Sequence, residues 1–223
     1  MKPGFPRGLV PLLLVATLLP TGASGAARKG LELAVQHATE DTDQAMEPVE
    51  FPVSGSLTGT LDWPLGSRLR LRTGVGYEER WTASRLTIQF LGPSSEFDLD
   101  FDFETRARSF VLPLRLAGGL GRVLELEAGP EWRWMLQTRT RVSLADPSIL
   151  GPAGEGTWTD VTSEWERSSF ALGAGVSAHW PLKGGEGRVG FRWCEALGNQ
   201  HAENFLGLSS RFRELQLMFA WSR

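Results

Sequence analysis

From residue 31 to residue 221 the chain reads in period two. Apolar residues recur at every second position in eight stretches, roughly 31–35, 57–63, 69–77, 110–116, 124–136, 170–180, 189–193 and 215–221. None of them shows the three-to-four spacing of an amphipathic helix. Successive side chains of a strand point to opposite faces, so each stretch specifies a strand with one apolar and one polar face. Eight such strands in 223 residues, with no run of eighteen apolar residues, leave an all-β fold as the expectation.

The connections alternate as regularly as the side chains. "PLGS", "GGLG" and "PLKGGEG" are tight-turn sequences. The intervening connections, near 38–54, 83–101, 143–160 and 199–210, are longer and more polar. Short turns at one end and long loops at the other describe an antiparallel up-and-down meander. An even strand number returns both termini to the short-turn side. This is the layout of an eight-stranded transmembrane β-barrel with short periplasmic turns and longer extracellular loops.

Alternation does not by itself say which face points inward. Three features favour an apolar exterior. Aromatics cluster at strand ends: Trp63, Trp180 and Trp221 on the short-turn side, and Tyr77, Trp81, Trp132, Trp134 and Trp165 toward the long loops. The polar face carries small residues (Gly74, Gly76, Gly129, Gly173, Gly175, Ser177 and Gly190) suited to a crowded interior. Its charges also balance. Glu32, Asp62, Glu125, Glu127, Glu131 and Glu214 stand against Arg68, Arg70, Arg72, Arg115, Arg133 and Arg192. Buried charges must be paired, so the expectation is a closed salt-bridged lumen without a pore.

The first residues read as a cleaved leader. Lys2 and Arg7 precede the apolar run "LVPLLLVATLL", and small residues follow. The expected division is a signal peptide at 1–25 and a barrel domain at 26–223. The formal net charge of −3 gives no electrostatic case for nucleic acid, and the single Cys194 excludes an internal disulfide.

The segment "SFVLPLRLAGGLGRVLELEAGPEWRWML", residues 109–136, resembles the PorT-like outer-membrane β-barrel family. Leu112-Pro113-Leu114 leads through a short turn to Ala128-Gly129-Pro130. "LRLRTGVGYEERW" resembles that family's glycine-and-aromatic strand, and "RELQLMFAWSR" resembles a C-terminal assembly strand of outer-membrane barrels, followed here by Ser222 and Arg223. The resemblance implies an outer-membrane location and no single activity.

Candidate chemistry is sparse. His37, His179 and His201 are the only histidines, and no serine accompanies His201 in the spacing of the lipid A deacylases. Cys194 is expected to be a small lumen-filling residue. "FDLDFDFE" places Asp98, Asp100, Asp102 and Glu104 on one strand face. Alternate residues stand almost 7 Å apart, so these acids are expected to face Arg106, Arg108, Arg139 or Arg141 instead of a shared cation. A one-residue phase shift between Phe103 and Phe110 predicts a β-bulge. The expected function is a non-enzymatic envelope or surface-binding barrel, with no catalytic, cofactor or metal residues. Its partners are outer-membrane lipid, the barrel-assembly machinery and a possible ligand at the long loops, and it is expected to be monomeric. A lipid A-modifying enzyme and a soluble periplasmic ligand-binding barrel are the alternatives.

Overall fold

The computed structural model describes residues 27–42, 47–48, 53–91, 96–144, 156–198 and 210–223. The leader, and most of the fourth long connection with His201, lie outside them. Eight long strands dominate: β1 (Arg28–Thr42), β2 (Val53–Pro64), β3 (Leu69–Leu91), β4 (Glu96–Leu120), β5 (Leu124–Leu144), β6 (Ser168–Leu182), β7 (Gly185–Ala196) and β8 (Ser210–Ser222). Each pairs antiparallel with its sequence neighbours. The first and last strands pair with each other, Leu31 opposite Trp221 and Thr42 opposite Ser210, which closes the ring. At the seam's end Lys29 and Arg223 exchange backbone hydrogen bonds of 2.9 and 2.7 Å. A closed ring leaves no unpaired edge, the condition for strands to lie in lipid.

The short turns close as their sequences require. Lys183-Gly184 joins β6 to β7 in a two-residue hairpin with Gly184 at φ 88°. Gly121, at φ 77°, serves the turn between β4 and β5. Both φ values lie in the left-handed region that glycine enters without steric cost.

The apolar face points outward on every strand. Val75 is 61% exposed and Phe191 57%, whereas Glu127 and Arg192 are buried at 3% and 2%. Outward-facing Leu31, Leu57, Phe110, Leu126, Val176 and Phe219 continue the belt around the ring. Such a belt is far larger than the apolar patches that water tolerates on a monomer. From Leu69 to Tyr77 it rises about 20 Å once strand tilt is allowed for, close to the apolar band of a membrane barrel. Trp180 and Trp221 flank its lower edge. The interior is packed so closely that a Cβ on Gly190 would lie 2.5 Å from the Ser177 side chain. No helix among the described residues is long and apolar enough to span a membrane.

Three expectations change. First, the second long connection is mostly strand. β3 runs 23 residues and β4 runs 25, and they pair from Leu69 opposite Gly118 out to Leu91 opposite Glu96. With β5 (21 residues) they project well beyond the shorter β2 and β7 (12 residues each). Second, the irregularity near Phe110 belongs to the neighbouring strand. Arg108 faces Gln137 but Ser109 faces Met135, so Leu136 is the extra residue and the bulge lies on β5. β4 itself keeps one phase throughout. Its even positions, Leu116 to Phe110 and then Arg108 to Asp98, all face outward. What shifts is the solvent: lipid below, water above. Third, Trp165 does not join the lipid-facing rim, because it is 5% exposed and lies inside the barrel mouth.

Candidate functional site

The lumen is a layered ion network. Arg72 extends from β3 directly opposite Asp62 of β2 and grips it with two bonds of 2.8 and 2.9 Å. It also bonds Glu125 at 3.0 Å and Glu127. Arg192 reaches Glu32 at 2.9 Å and Glu127 at 2.7 Å. Arg188 holds Glu32 at 2.9 Å, and Arg115 holds Glu131 at 2.7 Å. One layer higher, Arg133 takes Glu214 in a fork at 2.5 and 2.7 Å. Seven carboxylates (Glu32, Asp62, Glu78, Glu125, Glu127, Glu131 and Glu214) meet seven guanidinium groups (Arg70, Arg72, Arg80, Arg115, Arg133, Arg188 and Arg192). Among the described residues these equal numbers, held close in an eight-stranded ring, fill the interior and balance its charge.

Sequence patterning named most of these residues. Arg68 is the exception that moves out: it is exposed in the turn before β3. Glu78, Arg80 and Arg188 were missed. The first two lie past Tyr77, where β3 was expected to end, and Arg188 precedes the alternation of β7. Extending each inward phase by one or two positions would have found all three.

Above the ions the mouth is capped. A short 3-10 turn, Thr162–Glu164, leads Trp165 back into the barrel. Its ring stacks on Phe212 at 5.7 Å within a cluster of Ala107, Met135 and Ala196. The Arg80 guanidinium lies 4.5 Å from the other aromatic partner, Phe212. Asp160 anchors this strap. It accepts hydrogen bonds from the Thr162 hydroxyl at 2.5 Å, the Gln137 amide at 3.0 Å and the Thr162 backbone N–H at 3.0 Å. Those donors hold its carboxyl down at about 2.

The acidic stretch sits on the outer wall above the belt. Asp102 pairs with Arg85 at 2.8 Å, Asp100 accepts from the Thr87 hydroxyl at 2.7 Å, and Glu104 pairs with Arg141. Of the four arginines expected opposite these acids, Arg141 alone pairs with one of them; Arg85 is the second partner. No group of three or more potential metal ligands gathers among the described residues. Arg106 instead lies 4.5 Å from the Trp81 ring and 4.7 Å from the Trp158 ring.

The remaining candidates are dispersed. His37 stands on the outward face of β1 opposite Val53 and Leu215. His179 lies 3.6 Å from Glu186 at the short-turn end. Cys194 is buried in the lumen wall, as expected of a filling residue. Arg28, Arg68 and Arg70 line a cavity of about 370 Å³ at that same end.

The closed ring, its outward apolar belt, its aromatic rims and its ion-filled lumen define a β-barrel of the outer-membrane type. No protein-family model matches the chain, and no curated protein matches it. Among solved structures the chain is similar to Ail, the attachment invasion locus protein of Yersinia pestis (8% identity, 89% of this chain and 100% of that one, TM-score 0.43). It is also similar to the outer membrane protease OmpT from Escherichia coli (9%, 87% and 96%, 0.45) and the outer membrane protein OprG from Pseudomonas aeruginosa (8%, 89% and 96%, 0.40). The fold assignment rests on the strand ring and its faces.

Proposed function

We propose that this protein is a non-enzymatic outer-membrane barrel that presents a binding surface above the membrane; the PorT-like resemblance of residues 109–136 supports the outer-membrane location alone. The observation that carries this is the contrast between the two ends. Below, the lumen is filled by paired ions, which gives solutes no path. Above, the β3–β4–β5 sheet rises far past the belt. Between Arg80 and Leu91 the paired ribbon extends about 36 Å along the strand. A structure that seals its interior and extends its wall invests in surface contact. The test is fractionation followed by planar-bilayer recording. We expect recovery in the outer-membrane fraction, heat-modifiable mobility after detergent extraction and no discrete conductance. Recovery in the soluble periplasmic fraction, or steady channel openings, would overturn the proposal.

A further inference from the structure

Just above the belt, on the outside of the barrel, a cation is held with no anion paired to it among the described residues. Arg106 of β4 stands directly opposite Arg139 of β5. Like charges directly opposite across a ladder repel. The neighbouring arginines have acids: Arg108 pairs with Glu79 at 3.4 Å, and Arg141 with Glu104. Arg139 faces Asp160, whose carboxylate is hydrogen-bonded by Thr162 and Gln137 and acts on Arg139 only as a weaker charge neighbour. Arg106 forms no ion pair or side-chain hydrogen bond among the described residues. Its guanidinium lies against the rings of Trp81 and Trp158, which orients the flat cation while leaving its N–H fork unspent.

Beneath Arg106 runs a groove of about 460 Å³ on the lipid-facing wall, with Leu33, Val53, Leu57 and Tyr77 among its lining. Gly55 lines it without a side chain to fill it. A Cβ at Gly55 would meet only the Ala34 carbonyl, at 3.5 Å, an ordinary contact. The ladder therefore does not demand a glycine at this position, and a larger side chain could occupy the groove. Its lower part is apolar and lies at belt height. Its upper end carries Arg106, four residues above Phe110, where headgroups meet water.

We propose that this groove seats a phosphate-bearing lipid, with an acyl chain along Leu33, Gly55 and Leu57 and the phosphate on the Arg106 guanidinium. The proposal rests on the membrane-spanning assignment and adds a specific ligand class to the surface above. A planar guanidinium bound to a phosphate by two parallel hydrogen bonds selects phosphate over uncharged headgroups. The repulsion between Arg106 and Arg139, only partly offset by Asp160, falls once the anion is bound. Glu79 lines the same groove but is neutralised by Arg108.

The experiment is lipid competition on the full barrel in neutral phosphatidylcholine nanodiscs, read by native mass spectrometry after release. The probes are phosphatidic acid, diacylglycerol of the same chains, and glycerol phosphate. We expect phosphatidic acid to be retained about tenfold or more over diacylglycerol, the scale of a charge-assisted bidentate contact. Arg106→Gln should abolish that preference. Gly55→Leu, which fills the groove without backbone strain, should lower retention of phosphatidic acid while leaving the heat-modifiable band intact. Arg213→Gln, at a surface pair elsewhere on the wall, should change nothing. Equal retention of phosphatidic acid and diacylglycerol, or an undiminished preference in Arg106→Gln, would overturn the site. So would glycerol phosphate competing as well as phosphatidic acid, since that marks a soluble-anion site. Failure of the barrel to enter nanodiscs would instead refute the membrane assignment, a result distinct from lost selectivity. If Arg106→Gln does not fold, Gly55→Leu alone still decides.

Discussion

Arg72 is the most informative residue to remove. Its side chain is fully buried, and it bonds three carboxylates, Asp62, Glu125 and Glu127. Arg72→Met keeps much of the volume and deletes the charge. Two of the three acids retain a close second guanidinium: Glu125 has Arg70 at 2.9 Å, and Glu127 has Arg192 at 2.7 Å. Among the described residues Asp62 keeps only Arg70, at 3.7 Å. The lumen becomes one charge negative, with that excess centred on Asp62. Breaking a buried pair by removing one partner costs about 3–5 kcal/mol. At about 2–4 °C per kcal/mol for a chain of this size, the midpoint should fall by about 6–20 °C. The assay is the temperature at which the folded gel band converts to the unfolded one. The double variant Arg72→Met/Asp62→Asn restores neutrality and should recover about 1–3 kcal/mol of the loss. A single variant within about 2 °C of wild type, or a double variant less stable than the single, would refute the claim that charge balance holds the lumen.

Three further outcomes follow from the same geometry. Val176→Arg places a charge mid-belt, between Phe170 and Trp180, and should cost about 2–4 kcal/mol in bilayer refolding, whereas on a water-facing wall it would be near neutral, so an unchanged refolding midpoint would contradict the lipid-facing orientation. Trp165→Ala removes the ring stacked on Phe212 and should destabilise by about 3 kcal/mol by chemical denaturation, yet bilayer conductance should stay at baseline because the Arg133–Glu214 layer still fills the barrel. The carboxyl of Asp160 is depressed to about 2, so its contribution to docking the strap is fully present above the ordinary value near 4 and is lost as pH falls through about 2. Tryptophan fluorescence should therefore hold steady from pH 7 to pH 4 and change only near pH 2; a transition centred near 4 would contradict the Thr162 and Gln137 contacts.

Period two decided a good deal without coordinates. It named the eight strands, paired each lumen residue with a lipid-facing neighbour, and gave the end at which the tight turns lie. It could do so because a strand's two faces are set by local geometry, and because belt and lumen have opposite chemistry. It also implied a balanced interior, since Glu32, Glu127, Arg72 and Arg192 share a phase with glycines instead of leucines.

The tertiary structure alone decided the partnerships. Glu32 meets Arg192 across 160 residues of sequence, and Arg133 meets Glu214 across 81. Only ring closure and register bring them together. Trp165 gives no local sign of turning inward, because its place depends on a strap anchored by Asp160 and a partner, Phe212, on the last strand. The stretch "FDLDFDFE" was ambiguous for a related reason. Alternation looks the same on either side of a membrane surface, so only the continuous pairing of β4 with β3 reveals that the outward face passes from leucine in lipid to aspartate in water. The groove beneath Arg106 is likewise invisible in sequence: it needs Gly55 of β2 and Arg106 of β4 on one wall, with β3 between them.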